Sequence, residues 1–123
     1  MKRPEQELQI RAVKFIRAAY PGLLFFHVPN GGARSKVEGA IFKAMGTMAG
    51  APDLMFVLPT GVAAFLELKA GKGKLTATQA AFRDRCQSAG AFWAEARSLE
   101  EIEEQLHRWL QPLGWVPKAR IAA

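Results

Sequence analysis

The stretch APDLMFVLPTGVAAFLELK, residues 51–69, decides how the rest of the chain is read. Two apolar runs, 53–58 and 62–69, flank Pro59-Thr60-Gly61, and a short glycine-bearing loop between apolar runs predicts a β-hairpin. If that three-residue loop is taken literally, Leu58 pairs with Val62. Counting back along both strands then sets Asp53 directly opposite Glu67. Side chains alternate along a strand, so Lys69 lies on the same face as Glu67, one pleat further on. Two carboxylates opposed across a ladder repel each other. A hard divalent ion with oxygen ligands would resolve the repulsion, and the backbone carbonyl of Leu68 could supply a further oxygen. The competing reading is a solvated rim of ordinary charges. A two-residue turn at 60–61 would favour it, because a shift of one register step separates the acids.

Working outward, Thr76-Ala77-Thr78-Gln79 opens a helix that ends at Gly90, and residues 91–95 form a strand. Strand 62–69, this helix and strand 91–95 make a βαβ unit with parallel strands. Ser98-Leu99-Glu100-Glu101 caps a last helix running to about Leu110. Upstream, Leu8, Ala12, Phe15, Ile16 and Ala19 recur at helical spacing within 5–20, and Pro21-Gly22 ends the run. Residues 23–28 read as a buried strand broken by Pro29-Asn30-Gly31-Gly32. Ser35 caps a helix through about Met45, with Glu38 as its box partner. The order is α-β-α-β-β-α-β-α. It predicts an α/β domain with a mixed four-stranded sheet flanked by helices, a single domain over 1–123 and an irregular tail from about residue 111.

A length of 123 residues suits one core. No apolar run is long enough to span a membrane, and the N-terminus has no apolar signal-like segment. Cys86 is the only cysteine, which excludes an internal disulfide, suggests a reducing cytoplasm and reads as a small buried side chain. The net charge of +6 favours a polyanionic partner, most often nucleic acid. Its placement says more than its size. Arg34, Lys36 and Lys43 share one stretch, and Lys69, Lys72 and Lys74 another, while Glu100, Glu101, Glu103 and Glu104 gather in the last helix. Phe25, Phe26, Phe82, Phe92 and Trp93 are expected in the core. His27 and His107 lack metal-ligand spacing and receive no role.

Pro52-Asp53, thirteen further residues and then Glu67-Leu68-Lys69 resembles the PD-(D/E)xK nuclease signature. The order of elements is similar to the restriction-endonuclease-like core of that superfamily. More narrowly, residues 5–110 resemble a stand-alone VRR-NUC domain, the virus-type replication-repair nuclease. The supporting residues are Glu5-x-x-Leu8-Gln9, Pro29-Asn30-Gly31-Gly32 with Arg34, Gly50-Ala51-Pro52-Asp53, Glu67-Leu68-Lys69 and Gln79.

The resemblance implies that Asp53, Glu67 and the carbonyl of Leu68 bind Mg²⁺ or Mn²⁺, and that Lys69 orients a water or stabilises charge on the phosphorus centre. It implies a first-helix acid as well. Glu5 continues the apolar stripe that faces the core and is preferred to Glu7, with a solvated first-turn acid as the alternative. Gln79 is either a partner of the catalytic lysine or the closing residue of the helix cap. Asn30, Gly31 and Gly32 form a phosphate-binding loop or an ordinary tight turn. Arg34, Lys36, Lys72 and Lys74 are candidate phosphate contacts. The expected activity is endonucleolytic hydrolysis of DNA, structure-selective on branched substrates such as four-way junctions, by a cytoplasmic homodimer of bacterial or phage origin with no small-molecule cofactor. A catalytically silent DNA-binding module and a small protein-interaction domain are the rival readings.

Overall fold

Residues 3–29 and 35–121 are described by the computed structural model. In chain order they form α1 (Arg3–Ala19), β1 (Leu24–His27), α2 (Lys36–Ala44), β2 (Leu54–Val57), β3 (Ala63–Leu68), α3 (Ala77–Ser88), β4 (Phe92–Ala96) and α4 (Leu99–Leu110), followed by a 3₁₀ turn at Gln111–Leu113. The predicted order holds, with each strand shifted or trimmed by a residue or two at its ends. Among the described residues no helix is long and apolar enough to cross a membrane.

The hairpin closes with the three-residue loop. The Leu58 N–H donates to Val62 O at 2.9 Å, and Gly61 N–H donates to Leu58 O at 2.7 Å. Leu54 therefore pairs with Leu66 and Val57 with Ala63. The sheet order is β1-β2-β3-β4. β1 runs antiparallel to β2, and β4 runs parallel to β3 with Glu95 beside Glu67.

The pleat gives the sheet two chemically distinct faces. Leu54, Phe56, Ala64, Leu66, Leu68 and Ala96 point to one face and pack with Leu8, Ala12 and Ile16 of α1 and with Ile102, Leu106 and Leu110 of α4. Asp53, Phe65, Glu67, Trp93 and Glu95 take the other face, by their register. There α3 lies across them. Phe82 meets Phe65 edge-on with ring centroids 5.4 Å apart, and the Arg83 guanidinium sits 5.8 Å from the Trp93 ring centroid.

Two aromatic assignments need correction. Phe26 and Phe92 are 48% and 42% exposed rather than in the core, because each sits on an edge strand of the sheet. Cys86 is buried. The tail after the 3₁₀ turn is irregular yet tied down. The Lys118 N–H donates to Ala19 O at 2.8 Å, and Trp115 packs edge-on against Tyr20.

Candidate active site

The hairpin register carries Asp53 and Glu67 to opposite positions at the end of the β2–β3 ladder, on the α3 face. Both are buried, as is Lys69, and these three are the buried charged residues among those described. Asp53 is anchored at both ends. Its Oδ2 accepts the Leu68 N–H at 2.8 Å. Its main-chain carbonyl accepts from Val28 N–H at 3.0 Å and from His27 Nδ1–H at 2.8 Å, which assigns the proton to Nδ1. The N–H and C=O of one strand residue point to the same side of the strand. The Leu68 carbonyl therefore also faces the Asp53 side, where a third oxygen ligand would be needed.

Glu67 is the unbalanced member. Its Oε2 accepts from Gln79 Nε2 at 3.5 Å, while its Oε1 is buried without any hydrogen-bond partner. Burial, then the neighbouring Asp53 carboxylate, push its pKa up to about 9, with Glu5 acting in the same direction and Lys69 opposing. A buried carboxyl with an orphaned oxygen, kept from ionising by burial and by a second carboxylate, is a site whose charged form needs a positive partner. Among the described residues no three His, Cys, Asp or Glu side chains converge on one point. The donor set is thus two carboxylates and a carbonyl, with the remaining positions left to water or phosphate. Such all-oxygen, partly hydrated ligation fits a hard divalent cation.

The structure brings Glu5 and Gln79 to this pair. The Glu5 carboxylate and the Lys69 stem both lie near Gly73, since a Cβ there would sit 3.9 Å from each. Glu5 is half-buried and Glu7 is exposed. Gln79 takes the cap reading and also reaches the acids rather than the lysine. Its Oε1 accepts the Thr76 N–H at 2.9 Å and closes the capping box, while its amide nitrogen faces Glu67. Lys72 and Lys74 are exposed on the loop after Lys69. Lys36 opens α2, none of whose residues is buried. Asn30, Gly31, Gly32 and Arg34 lie outside the described residues.

Three neighbours escaped the sequence reading: His27, Glu95 and Arg97. A histidine contacting a carbonyl 26 residues away leaves no local signal. Glu95 and Arg97 depend on a parallel register that no tight turn sets.

Gly50 locks the loop before Asp53 onto the start of α3. Its φ is +83°, and a Cβ there would lie 2.3 Å from Thr78 O. Gly50→Ala should therefore cost at least about 2 kcal/mol, from left-handed strain plus overpacking against backbone. Thermal unfolding checks it, and an unchanged midpoint would contradict the close approach.

Two solved structures share this fold. One, named "VRR_NUC domain protein", is 20% identical with a TM-score of 0.71, and the match covers 90% of this chain and 91% of that chain. The other, named "VRR_NUC domain", is 23% identical with a TM-score of 0.61, over 86% of this chain and 97% of that chain. No protein-family model and no curated protein matches the chain. The mixed four-stranded sheet with its flanking helices is thus the fold seen in VRR_NUC domains, of the restriction-endonuclease-like α/β kind.

Proposed function

We propose that the Asp53–Glu67–Lys69 cluster is the active site of a metal-dependent DNA endonuclease that hydrolyses phosphodiester bonds, using Mg²⁺ or Mn²⁺. The observation that carries this reading is the buried carboxylate pair with its orphaned Glu67 Oε1, set beside a buried lysine. The shared VRR_NUC fold supports it.

Held by Asp53, Glu67 and the Leu68 carbonyl, a divalent ion would polarise a phosphate oxygen and lower the pKa of a bound water. The chain's own residues then divide the remaining work. Asp53 is held in place through its carbonyl by β1 and through Oδ2 by the Leu68 N–H. Gln79 orients Glu67 through its amide. Lys69, buried with its stem against the Gly73 loop, keeps a positive charge where negative charge grows on the phosphoryl oxygens. Glu5 adds a carboxylate to hold a metal-bound water. Direct attack by water on the phosphorus is the chemistry proposed.

Lys72 and Lys74 are the proposed phosphate contacts. Replacing both by alanine should weaken binding to all DNA sequences alike. It should also flatten the log–log salt dependence by about 2 units on duplex, with little change in rate at saturating DNA. An unchanged slope would mark them as solvated loop charges.

The proposed substrate is branched DNA such as a four-way junction, cut in the cytoplasm by a homodimer. Two equivalent strands need two sites related by a two-fold axis, and the described residues form one such acid pair. The apolar residues Val37, Ile41 and Met45 lie one helical turn apart on or just beyond α2 and are 69%, 53% and 75% exposed, which supports a second copy as partner. The test is cleavage of matched duplex, single-stranded, flap and four-way DNAs with Mg²⁺ and with EDTA. Cutting of the four-way DNA only with Mg²⁺ is expected. Binding without cutting under every divalent ion would leave a DNA-binding module on the same fold.

A further inference from the structure

Arg97, just beyond β4, joins the sheet to the loop that follows Lys69. Its Nη2 donates to Glu95 Oε1 at 2.5 Å, and its Nη1 donates to the Gly71 carbonyl at 3.1 Å. Glu95 lies beside Glu67 across the parallel β3–β4 pair, on the same face. The Arg97 ion pair engages this carboxylate.

The loop is fastened to β4 at two points. The Lys69 N–H donates to Ala96 O at 3.1 Å, and two residues later Gly71 O receives Arg97. Gly71 has φ +59° with open space where a Cβ would go. Glycine is needed there for the backbone turn rather than for room. Lys72 and Lys74 flank the next glycine, Gly73, whose N–H donates to Ala70 O at 3.3 Å. Both lysines thus ride on a segment whose anchor is a planar guanidinium serving two acceptors. A lysine ammonium has no such fork.

We propose that Arg97 is a positioning residue: it clamps the 70–74 loop to β4 and thereby aims Lys72 and Lys74 at the DNA backbone. The assignment rests on the nucleic-acid reading of the site.

A double-mutant cycle tests it. Affinity for four-way DNA is measured in EDTA for the unmodified protein, Arg97→Gln, the Lys72→Ala/Lys74→Ala pair, and the triple variant. Arg97→Gln should weaken binding about tenfold, the scale of one charge-assisted hydrogen bond, and flatten the salt slope. In the lysine-less background the same change should cost no more than about twofold, because its effect passes through those lysines. Additive losses would make Arg97 a direct phosphate contact and overturn the proposal, as would unchanged affinity. In Mg²⁺ the defect should appear in KM with kcat retained. A fall in kcat together with a lowered thermal midpoint would mean a merely structural role. Arg97→Lys, which keeps the charge and one acceptor, should be intermediate, and it carries the same cycle if Arg97→Gln fails to fold. Amide exchange at Lys72, Gly73 and Lys74 should quicken in either variant without DNA, and protection equal to the unmodified protein would contradict the clamp. Failure of the unmodified protein to bind DNA would sink the nuclease reading instead, and the exchange comparison would then judge the clamp by itself.

Discussion

Glu67→Gln should abolish cleavage and at the same time make the metal-free protein more stable at pH 8. The activity loss, on the order of 10³-fold, follows from removing one of two carboxylate ligands of the metal that activates water. The gain in stability follows from the proton linkage. Glu67 ordinarily titrates near 4.5 and is pushed up to about 9 in the folded chain, first by burial and then by Asp53. Between those two pH values the native state holds a proton that the unfolded chain has released. Stability is therefore full below the unfolded value and is lost as pH rises through the folded one. Glutamine keeps the shape and the Gln79 contact but has no charge to bury. The variant's thermal midpoint should be flat across this window and exceed that of the unmodified protein at pH 8 by at least about 3 °C, the shift that about 1 kcal/mol gives in a domain of this size. Mg²⁺ should raise the midpoint of the unmodified protein more at pH 8 than at pH 5, and should leave the variant unmoved. An unmodified protein whose midpoint rises with pH across this window would show that Glu67 is already ionised and paired.

Lys69→Ala should lower the cleavage rate by about 10² to 10³-fold while DNA and divalent ions still bind. The ammonium group is buried beside the acids rather than exposed with Lys72 and Lys74. Its loss should therefore fall on the transition state more than on affinity. Single-turnover rates at saturating DNA, set beside binding isotherms in EDTA, separate the two effects. A variant that loses affinity in proportion to rate would place Lys69 among the general phosphate contacts.

The hairpin was legible from Pro59-Thr60-Gly61 because a tight turn sets register locally, and with it the meeting of Asp53 and Glu67. The helices were legible from their caps, since Ser35, Thr76 and Ser98 each accept the N–H three residues on. The parallel pairing of β3 with β4 was legible as a topology but not as a register. A helical crossover lets the second strand slide, so Glu95 beside Glu67, and Arg97 reaching Gly71, could not be read off. Gln79 offered two sequence readings because a glutamine has two ends: its oxygen closes the cap, and its nitrogen reaches Glu67. Phe26 and Phe92 look like core residues by type. Only the position of their strands at the sheet edges exposes them.

The claim at the centre is that the Asp53–Glu67 pair is built around a divalent cation. The most direct measurement is anomalous diffraction from crystals of the protein soaked in Mn²⁺. The expected result is one strong peak touching both carboxylates and the Leu68 carbonyl oxygen, and absent from Asp53→Asn crystals. A map with no peak at this pair, or with a peak only at other carboxylates, would contradict it.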